Sequence, residues 1–363
     1  MPLEPTIIER LNRARADLRM GVPVVLAGHD SAALVIAAEV LTEERLARMR
    51  ALGGAPVLAI TAHRAGTLKA RAYDGDLARI MVPGDVAVGW VRAVADPADD
   101  LRLPLKGPLM SQRDGDAVAH RAALRLVKTA QLLPAALVVE LSDGAALAAA
   151  HDLTCIDMAV AGPELFRASP LHPVVSARVP IVASEAGRVH VFRPEDGGVE
   201  HYAIEIGQPR RDAPVLARLH SACFTGDVLG SLKCDCGAQL QSALMQMGAA
   251  GAGVLLYLNQ EGRGIGMANK MRAYSLQDQG FDTVEANHRL GFEDDERDFR
   301  IGAALLRRMG FTAARLLTNN PAKVRMLADH GVEVVERVPL KVGATAQNAA
   351  YLATKASKSG HLL

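Results

Sequence analysis

The stretch Arg218-Leu-His-Ser-Ala-Cys223-Phe-Thr-Gly-Asp-Val-Leu-Gly-Ser-Leu-Lys-Cys234-Asp-Cys236-Gly237 holds three of the four cysteines in this chain of 363 residues. Three thiolates without an obvious fourth ligand favour a zinc site with one open position, as in catalytic sites, because structural sites close with four protein ligands. Water at such a position has a pKa of about 7, which makes hydroxide available near neutrality. The stretch therefore predicts a hydrolase.

Other interpretations of these cysteines stay open at this point. His220 lies three residues before Cys223 and could close a structural zinc site as the fourth ligand. One disulfide with an odd thiol makes a poor framework in a chain without a recognisable secretory signal. Buried thiols without any ligand are the remaining alternative. The fourth cysteine, Cys155, lies in an apolar segment and is predicted to be an ordinary core residue.

Composition excludes several classes of partner. The net charge is +1, so nothing in the overall charge attracts nucleic acid or anionic membranes. No apolar stretch reaches the length of about 20 residues that a membrane helix needs. The start Met1-Pro-Leu-Glu-Pro5 lacks the basic and apolar regions of a signal peptide. Together with the unpaired thiols, this predicts a cytoplasmic protein that binds neither nucleic acid nor membrane.

The chain changes character near residue 170, and its length also predicts two domains. Before that point strand-like runs (Val24–Ala27, Ala136–Glu140) alternate with helix-like runs (Glu43–Arg50, Ala122–Lys128). The segment Ala168–Pro173 contains two prolines and is predicted to be a linker, after which short strands and turns follow. We expect an α/β (α+β) fold of two domains, 1–170 and 171–363, each a mixed sheet with flanking helices, the second carrying the zinc site.

Two loops follow apolar strands in the second half, where ligand loops of α/β folds lie. In Gln260–Asn269, three glycines allow close approach of a ligand, and Arg263 offers a fork for phosphate. In Thr318–Lys323, Pro321 fits the first turn of a helix capped by Asn, whose N-terminus can seat a phosphate. Taken alone, each loop also fits an ordinary turn before a helix.

Residues 174–363 closely resemble GTP cyclohydrolase II, the enzyme that opens the guanine ring of GTP at the start of riboflavin synthesis. The resemblance rests on four motifs in combination and on the two C-terminal segments Glu336–Leu340 and Lys358–Leu363. The motifs are Cys-x10-Cys-x-Cys at 223–236, Glu261-Gly-Arg263, Asp295-Glu-Arg-Asp298 and Thr318-Asn-Asn-Pro321.

The resemblance implies a role for each matching residue. The zinc ligands would be Cys223, Cys234 and Cys236. Arg297 would attack the α-phosphate of GTP and displace pyrophosphate, with Asp295 as proton acceptor, and Tyr274 would assist at the zinc-bound nucleophile. The residues implied to bind GTP are Arg218, Leu219, His220, Ser221, Ala222, Gln239, Glu261, Gly262, Arg263, Thr283, Thr318 and Lys323, with Gln239 reading the guanine.

The resemblance also implies the reaction and its cofactors. One Zn²⁺ per subunit and Mg²⁺ on the triphosphate would support conversion of GTP to 2,5-diamino-6-ribosylamino-4(3H)-pyrimidinone 5′-phosphate, formate and pyrophosphate, in a homodimer. This chain departs from the family in one place, because Ala222 stands where a glutamate is usual. Two alternatives are a guanine-nucleotide-binding protein without turnover and a cyclohydrolase with altered nucleotide or product specificity.

The first half resembles 3,4-dihydroxy-2-butanone 4-phosphate synthase in outline, at Leu18–Val25, Ile36–Thr42 and Leu133–Glu140. That synthase needs an acidic segment for Mg²⁺, but this chain has Ala27-Gly-His-Asp-Ser-Ala-Ala-Leu-Val35 there. The family's Gly-His-Thr-Glu motif falls near Val118-Ala-His-Arg121, where Ala119 and Arg121 stand at the positions of its metal-binding histidine and acid. The resemblance thus implies that both metal-binding residues are missing from their places in the motif. Without clustered oxygen ligands Mg²⁺ is not held. We expect this domain to have lost synthase activity and to serve as a scaffold, a dimerisation surface or a regulator.

Overall fold

A computed structural model of the chain describes residues 3–29, 31–102 and 104–343, together with 345, 348 and 353. Asp30 of the predicted altered synthase segment and the terminal segment Lys358–Leu363 lie outside the described residues. The strands are β1 Val24–Ala27, β2 Ala32–Ala37, β3 Val57–Thr61, β4 Leu77–Met81, β5 Ala135–Leu141, β6 Cys155–Asp157, β7 Leu171–Arg178, β8 Gly187–Pro194, β9 His201–Ile206, β10 Val215–Ser221, β11 Gly253–Leu258, β12 Ala313–Leu317 and β13 Glu333–Val338.

The helices lie between these strands, with short 3-10 turns at Ala38–Val40 and Glu261–Gly264. They are α1 Ile7–Arg19, α2 Glu43–Ala51, α3 Ala62–Thr67, α4 Val88–Ala95, α5 Val118–Thr129, α6 Gly144–His151, α7 Met158–Glu164, α8 Phe224–Asp227, α9 Cys236–Ala249, α10 Met267–Asp278, α11 Thr283–Leu290, α12 Arg300–Arg308 and α13 Pro321–Asp329. None of the helices in the described part of the chain combines the length and the apolar character that a membrane span requires.

The chain packs into two units that are not consecutive halves. The first contains the residues up to Arg167 and the segment Met267–Asp295, which carries α10 and α11. The second contains Ala168–Gly266 and the described residues from Glu296 onward. The sequence predicts a division between residues 170 and 171. In the structure, however, Met267–Asp295 belongs to the predicted second domain but packs with the first unit.

The first unit is built on a six-stranded sheet in the order β4-β3-β5-β2-β1-β6. Its neighbouring strands are antiparallel, except that β1 and β6 are parallel. In β1, Val24 and Leu26 pack in one hydrophobic core and Val25 packs in the other. Because side chains alternate between the two faces of a strand, such an unbroken apolar run is buried on both faces. Helices α1 and α5 cover one face, and α2 and α4 cover the other.

The second unit is built on a seven-stranded mixed sheet in the order β13-β12-β10-β11-β9-β8-β7. Strands β13, β12, β10 and β11 are parallel, and β9, β8 and β7 continue the sheet as antiparallel neighbours. Helices α12 and α13 contribute to the core on one face, and α9 packs on the other. The predicted class, two mixed sheets with flanking helices, is confirmed.

The strands and helices predicted in the first half are also confirmed, and Cys155 is half-buried against the second core of its unit. The predicted linker is shorter than expected, because β7 already begins at Leu171. Pro173 fits there since β7 is an edge strand, and the pairing with β8 shifts register between Pro173 and Val175. A proline has no N–H for a strand ladder and is tolerated at such edges and bulges.

Candidate functional site

The candidate site of the second unit lies where three parallel strands end. Cys223 follows β10, the Glu261–Gly264 turn follows β11, and Thr318 follows β12. Because β10 pairs in parallel with both β11 and β12, these three ends share one edge of the sheet. Ligands of open α/β sheets bind at this edge. The two loops predicted from the sequence are therefore brought together with the cysteines.

The three cysteines form a compact group at this edge. Among the described residues, they are the set of potential metal ligands whose atoms all lie within 4.8 Å of one another. None of the three forms a disulfide, and the Sγ atoms of Cys223 and Cys234 are 3.7 Å apart. A disulfide needs about 2.05 Å, so the disulfide interpretation is wrong for this structure.

The surroundings of the cysteines leave little room for other atoms. A Cβ on Gly226 would lie 2.8 Å from the Sγ of Cys234 and 3.1 Å from that of Cys223. Gly237 is equally confined, because its Cβ would lie 2.2 Å from the carbonyl oxygen of Gly226. A contact below 3.0 Å requires the neighbouring atom to move. At position 226 that atom is the sulfur of a candidate metal ligand, and at position 237 it is a backbone oxygen, so glycine is favoured at both positions.

Ionisation of the packed thiols is unfavourable without a cation. Hydrogen bonds with Cys223 are the largest cause that raises the pKa of Cys234, and they also raise that of Cys236 well above its ordinary value. A bound metal reverses this preference, because a coordinated thiol is deprotonated. Three sulfur ligands in one group suit zinc or another thiophilic metal. The residues present therefore fit a metal ion.

His220 does not belong to this ligand group, so the closed four-ligand site is wrong for this structure. Its Nε2 is 3.1 Å from each carboxylate oxygen of Asp227. Asp227 also accepts hydrogen bonds from the backbone N–H of Cys223 (2.9 Å) and the hydroxyl of Tyr257 (2.9 Å). The carboxylate is only 3% exposed. Asp227 thus joins a metal-ligand candidate, an imidazole and a phenol in one buried network.

Burial determines the protonation of this network. It is the main cause that lowers the pKa of His220, and it raises the pKa of Tyr257. The neutral imidazole, with its proton on Nε2 toward Asp227, presents Nδ1 as an acceptor. This Nδ1 is buried and has no hydrogen-bond partner among the described residues. The ring also stacks on Tyr257, with centroids 5.5 Å apart.

A second buried chain of polar contacts runs behind the cysteines. Arg218 donates to the carbonyl oxygen of Leu317 (3.0 Å) and to the side-chain oxygen of Gln239, whose amide in turn donates to Asp235. Asp235 stands between Cys234 and Cys236. Burial lowers the pKa of Arg218 to about 10. The guanidinium therefore stays charged at neutral pH and orients Gln239.

The glycine-rich turn is tied to the loop that carries Arg297. The backbone N–H of Glu296 donates to the carbonyl oxygen of Arg263 (3.0 Å), and the side chain of Gln260 both accepts from and donates to the backbone of Asp298. The backbone of Arg263 itself adopts a left-handed conformation, with φ 60°. Gly264 (φ 93°) lies so close to Glu296 that a Cβ would be 2.8 Å from its carbonyl group. The glycines are thus needed for the close approach of two loops.

Arg297 and Lys323 converge on the end of β10. The guanidinium of Arg297 donates to the hydroxyl of Ser221 (3.3 Å) and lies 4.7 Å from the ring centre of Phe299. Lys323 is buried, donates to the carbonyl oxygen of Leu219 (3.0 Å) and lies 4.9 Å from the same ring. Two cations beside one aromatic ring make this corner suitable for an anion.

The loop after β12 is held in place by its own side chains. Asn320 caps α13 and Pro321 stands in its first turn, as predicted. The hydroxyl of Thr318 accepts from the N–H of Asn320 (3.0 Å), and Asn319 makes two hydrogen bonds with the backbone of Leu340. The loop is therefore rigid beside Lys323.

The remaining predicted residues lie elsewhere. Leu219 is a core residue, and half-buried Ala222 donates its N–H to the carbonyl oxygen of Leu258. Tyr274 and Thr283 lie in α10 and α11 of the first unit, and Asp295 is the exposed last residue of that unit's segment. The Thr283 hydroxyl accepts from Gln277 (3.2 Å).

Several residues that organise the site were not predicted from the sequence. Asp227, Tyr257, Gln260 and Phe299 carry no motif of their own. Asp227 stands four residues after Cys223, which is one helical turn, and this spacing is the signal that could have suggested contact with it. The other three act through partners that are distant in the chain.

Comparisons with known proteins give the following similarities. The family model for GTP cyclohydrolase II matches residues 172–339. A GTP cyclohydrolase-2 of Azospirillum brasilense is 43% identical over 369 residues, covering 100% of this chain and 96% of the relative. A GTP cyclohydrolase-2 of Azotobacter vinelandii is 58% identical over 175 residues, covering 48% of this chain and 84% of the relative.

Solved structures give weaker similarities. A two-domain 3,4-dihydroxy-2-butanone 4-phosphate synthase from A. baumannii aligns with a TM-score of 0.34 and 16% identity, over 92% of this chain and 100% of that one. A 3,4-dihydroxy-2-butanone 4-phosphate synthase of Candida albicans aligns with a TM-score of 0.33 and 15% identity, over 43% of this chain and 97% of that one.

Proposed function

This chain belongs to the GTP cyclohydrolase II family, and from that premise we propose that it hydrolyses GTP to 2,5-diamino-6-ribosylamino-4(3H)-pyrimidinone 5′-phosphate, formate and pyrophosphate in a zinc-dependent reaction. This would be the first step of riboflavin biosynthesis. One observation carries the proposal most directly. Three thiols that fit a metal and a guanidinium that fits a phosphate meet at the end of β10.

Cys223, Cys234 and Cys236 would hold the zinc ion. When bound, zinc supplies Lewis acidity that lowers the pKa of water to about 7, which suits hydrolysis at C8 of guanine. The role of the chain is to keep three thiols at one point and to fix the first of them through Asp227. The Nδ1 of His220, for which the described part of the chain provides no hydrogen-bond partner, would accept a hydrogen bond from the substrate.

Arg297 would act on the phosphate side of the reaction. Its guanidinium nitrogen would form a bond to the α-phosphorus while the bond to the pyrophosphate oxygen breaks, and Asp295 would take the proton. Water would then break this nitrogen–phosphorus bond, which releases the 5′-phosphate and restores Arg297. Ser221 and Phe299 restrict the guanidinium to one position, which favours attack in line. Arg263, Thr318 and Lys323 would bind the phosphates, with Mg²⁺ on the triphosphate.

The base side of GTP would be bound by the chain at the end of β10 and by Gln239. The bonds of Gln239 with Arg218 and Asp235 fix which way its amide faces, as recognition of guanine requires. Glu261 accepts from the N–H of Phe224 (2.6 Å), which ties the glycine-rich turn to the start of α8. Gly262 and Thr283 would complete the nucleotide site, and Tyr274 would assist as proton donor or positioner.

A second candidate is a cyclohydrolase with altered nucleotide or product specificity. It rests on Ala222, which offers no carboxylate where the family usually has glutamate. Turnover of GTP beside other nucleoside triphosphates would decide between the two. We also propose that residues 1–170 form a degenerate synthase-like domain without synthase activity and that residues 171–363 form the cyclohydrolase domain. The homodimer and the cytoplasmic location remain predictions.

The test compares two cysteines of different predicted role. We expect Cys234→Ser to lose both bound zinc and release of formate from GTP, because the ligand group is broken. Cys155→Ser is the matched control, since Cys155 belongs to the first unit and is not a member of the ligand group, and should keep both. Formate release by Cys234→Ser at the rate of the unsubstituted protein would contradict the proposal.

A further inference from the structure

The segment Met267–Asp295 lies within the part of the chain that matches GTP cyclohydrolase II, yet it packs with the first unit. Its helices α10 and α11 pack against each other, and α11 packs against α3 of the first half. Tyr274 and Thr283 are carried by this segment. The first half of the chain therefore supplies the surroundings of residues that the cyclohydrolase reaction is proposed to use.

We propose that the first domain has a positioning function in the cyclohydrolase reaction, and that Arg272 is the positioning residue through which it orients helix α10 and Tyr274. The inference rests on the proposed function, because the role of Tyr274 belongs to it. It assigns a task to the domain that we expect to lack synthase activity.

Arg272 is held from three directions. Its guanidinium donates to Glu39 (2.9 Å) and Asp96 (3.2 Å) of the first half, and to Asn269 (2.7 Å) one turn earlier in α10. The three charged side chains are 19–31% exposed. A planar guanidinium shared between two carboxylates is fixed in both distance and orientation.

The partners of Arg272 are themselves fixed. Glu39 uses its second oxygen to accept from the backbone N–H of Leu133 (2.8 Å). Asn269 is fully buried and donates to the carbonyl oxygen of Gln131 (3.1 Å). Through Glu39 and Asn269, Arg272 is thus linked to the backbone of Leu133 and Gln131 in the first half. Rotation of α10 about its axis would break these hydrogen bonds.

Because Arg272 and Tyr274 lie on the same helix, fixing the rotation of α10 at Arg272 also fixes the direction in which Tyr274 leaves the helix. Successive residues are about 100° apart around a helix, so Tyr274 lies about 200° from Arg272, on nearly the opposite side. Ala273 and Leu276 between these directions are buried. The hydrogen bonds of Arg272 hold one side of α10, and Tyr274 therefore projects in a fixed direction from the opposite side.

Helix α11 has independent anchors in the first half. The hydroxyl of Thr61 donates to the carbonyl oxygen of Gly291 (2.8 Å), and a Cβ at Gly291 would lie 2.8 Å from that hydroxyl. The rings of His63 and His288 stack with centroids 3.9 Å apart. Because these anchors do not depend on Arg272, the segment should stay folded when Arg272 is replaced.

The experiment compares Arg272→Ala, Arg272→Lys and the control Arg121→Ala in the full-length chain loaded with zinc. Arg121 also forms a two-pronged ion pair within the first unit, with Asp76, and it donates to the carbonyl oxygen of Asp74 (3.1 Å), both outside the segment. We expect Arg272→Ala to lower kcat for formate release about 10- to 100-fold, as misplacement of a reacting group by about 1 Å does. The KM for GTP and the zinc content should stay unchanged.

The conservative variants separate positioning from mere stability. Arg272→Lys keeps the charge but not the fork and should recover part of kcat. Glu39→Gln should lower kcat as well, and its effect should not add to that of Arg272→Ala, because both remove the same contact. If Arg272→Ala proved unstable, Glu39→Gln alone would still test the inference, since an amide oxygen can continue to accept from Leu133.

The outcomes distinguish this inference from the proposed function. If the unsubstituted protein releases no formate from GTP, the proposed function fails and the inference fails with it. If it releases formate and Arg272→Ala is as active as Arg121→Ala, only the inference is overturned. An equal fall of kcat, zinc content and folded fraction in Arg272→Ala would mean a structural role and would also overturn it.

Discussion

Replacement of Asp227 by Asn tests how the chain fixes its metal-ligand candidates. The carboxylate accepts hydrogen bonds from three donors at 2.9–3.1 Å, and its side chain is only 3% exposed. Asn keeps one oxygen and places an amide N–H₂ where the second oxygen was. At least one donor among Cys223, His220 and Tyr257 then loses its acceptor.

The magnitude follows from the kinds of bond involved. A hydrogen bond to a charged group contributes about 1.5–3 kcal/mol and a neutral one about 0.5–1.5 kcal/mol, while a buried donor without an acceptor costs about 1–3 kcal/mol. Two weakened bonds and one lost bond predict that the free energy of unfolding of the metal-free protein falls by about 3 kcal/mol. Loss of an outer-shell partner typically lowers metal affinity about 10- to 100-fold.

Two measurements check this prediction. Denaturant unfolding of the metal-free protein gives the change in stability, and competition with a zinc chelator gives the change in affinity. Tyr257→Phe should show a smaller loss of about 1.5 kcal/mol, because it removes one donor to the carboxylate and leaves the carboxylate itself in place. Asp212→Asn is the control, since Asp212 is 69% exposed and paired with Arg210. Asp227→Asn with unchanged stability and unchanged zinc affinity would refute the assigned role of the network.

Further predictions concern glycine, arginine and histidine positions. Gly226→Ala should weaken zinc binding, measured by chelator competition, because its Cβ would lie 2.8 Å from the Sγ of Cys234. Arg297→Lys should lower pyrophosphate release at least about 100-fold while zinc content is kept, since a lysine cannot reproduce the guanidinium nucleophile. Burial lowers the pKa of His201 to about 4, and its Nδ1 accepts from the N–H of Asn259, which requires the neutral ring. The unfolded chain binds this proton with a pKa of about 6.5, so stability from His201 is present above pH 6.5 and is lost toward pH 4, at up to about 1.4 kcal/mol per pH unit.

The predictions for Gly226, Arg297 and His201 can each be checked against a matched variant or measurement. Gly89→Ala meets no atom within 4 Å and should leave zinc affinity unchanged. Arg300→Lys alters an exposed pair with Asp298 and should keep pyrophosphate release above the level of Arg297→Lys. The acid loss of stability between pH 6.5 and 4.5 should shrink in His201→Asn, and an unchanged pH profile would contradict the assignment to His201.

The sequence predicted the elements of the fold well where a single pattern decides them. Unbroken apolar runs such as Val24–Ala27 are buried on both faces of a central sheet, and the structure confirms them as strands. Pro173 misled the prediction of the linker, because a proline is compatible with an edge strand as well as with a linker. Whether a segment forms a strand depends on its local sequence, whereas its position at the edge or centre of the sheet depends on the rest of the fold.

The packing of Met267–Asp295 with the first unit could not be predicted from the sequence. Arg272 looks like any polar residue of a helix, and its partners Glu39 and Asp96 lie 233 and 176 residues away. Ion pairs between such distant residues leave no periodic pattern. The choice of packing partner depends on surfaces that exist only after folding.

The metal-ligand candidates of the site could be predicted from the sequence, but the hydrogen-bond network that holds them could not. The close spacing of three cysteines already indicated a metal site, and they do form one group. Whether His220 joins them could not be decided from spacing, because it depends on the direction of a side chain that Asp227 holds elsewhere. The network around Asp227 became visible only in three dimensions.

Zinc-dependent hydrolysis of GTP is tested most directly by incubating the purified, zinc-loaded protein with GTP and Mg²⁺ and quantifying formate, pyrophosphate and the diaminopyrimidine product together. We expect all three to form in equal amounts, and removal of zinc should stop formate release. Absence of turnover by the zinc-loaded protein would contradict this expectation and would favour a nucleotide-binding protein without catalysis.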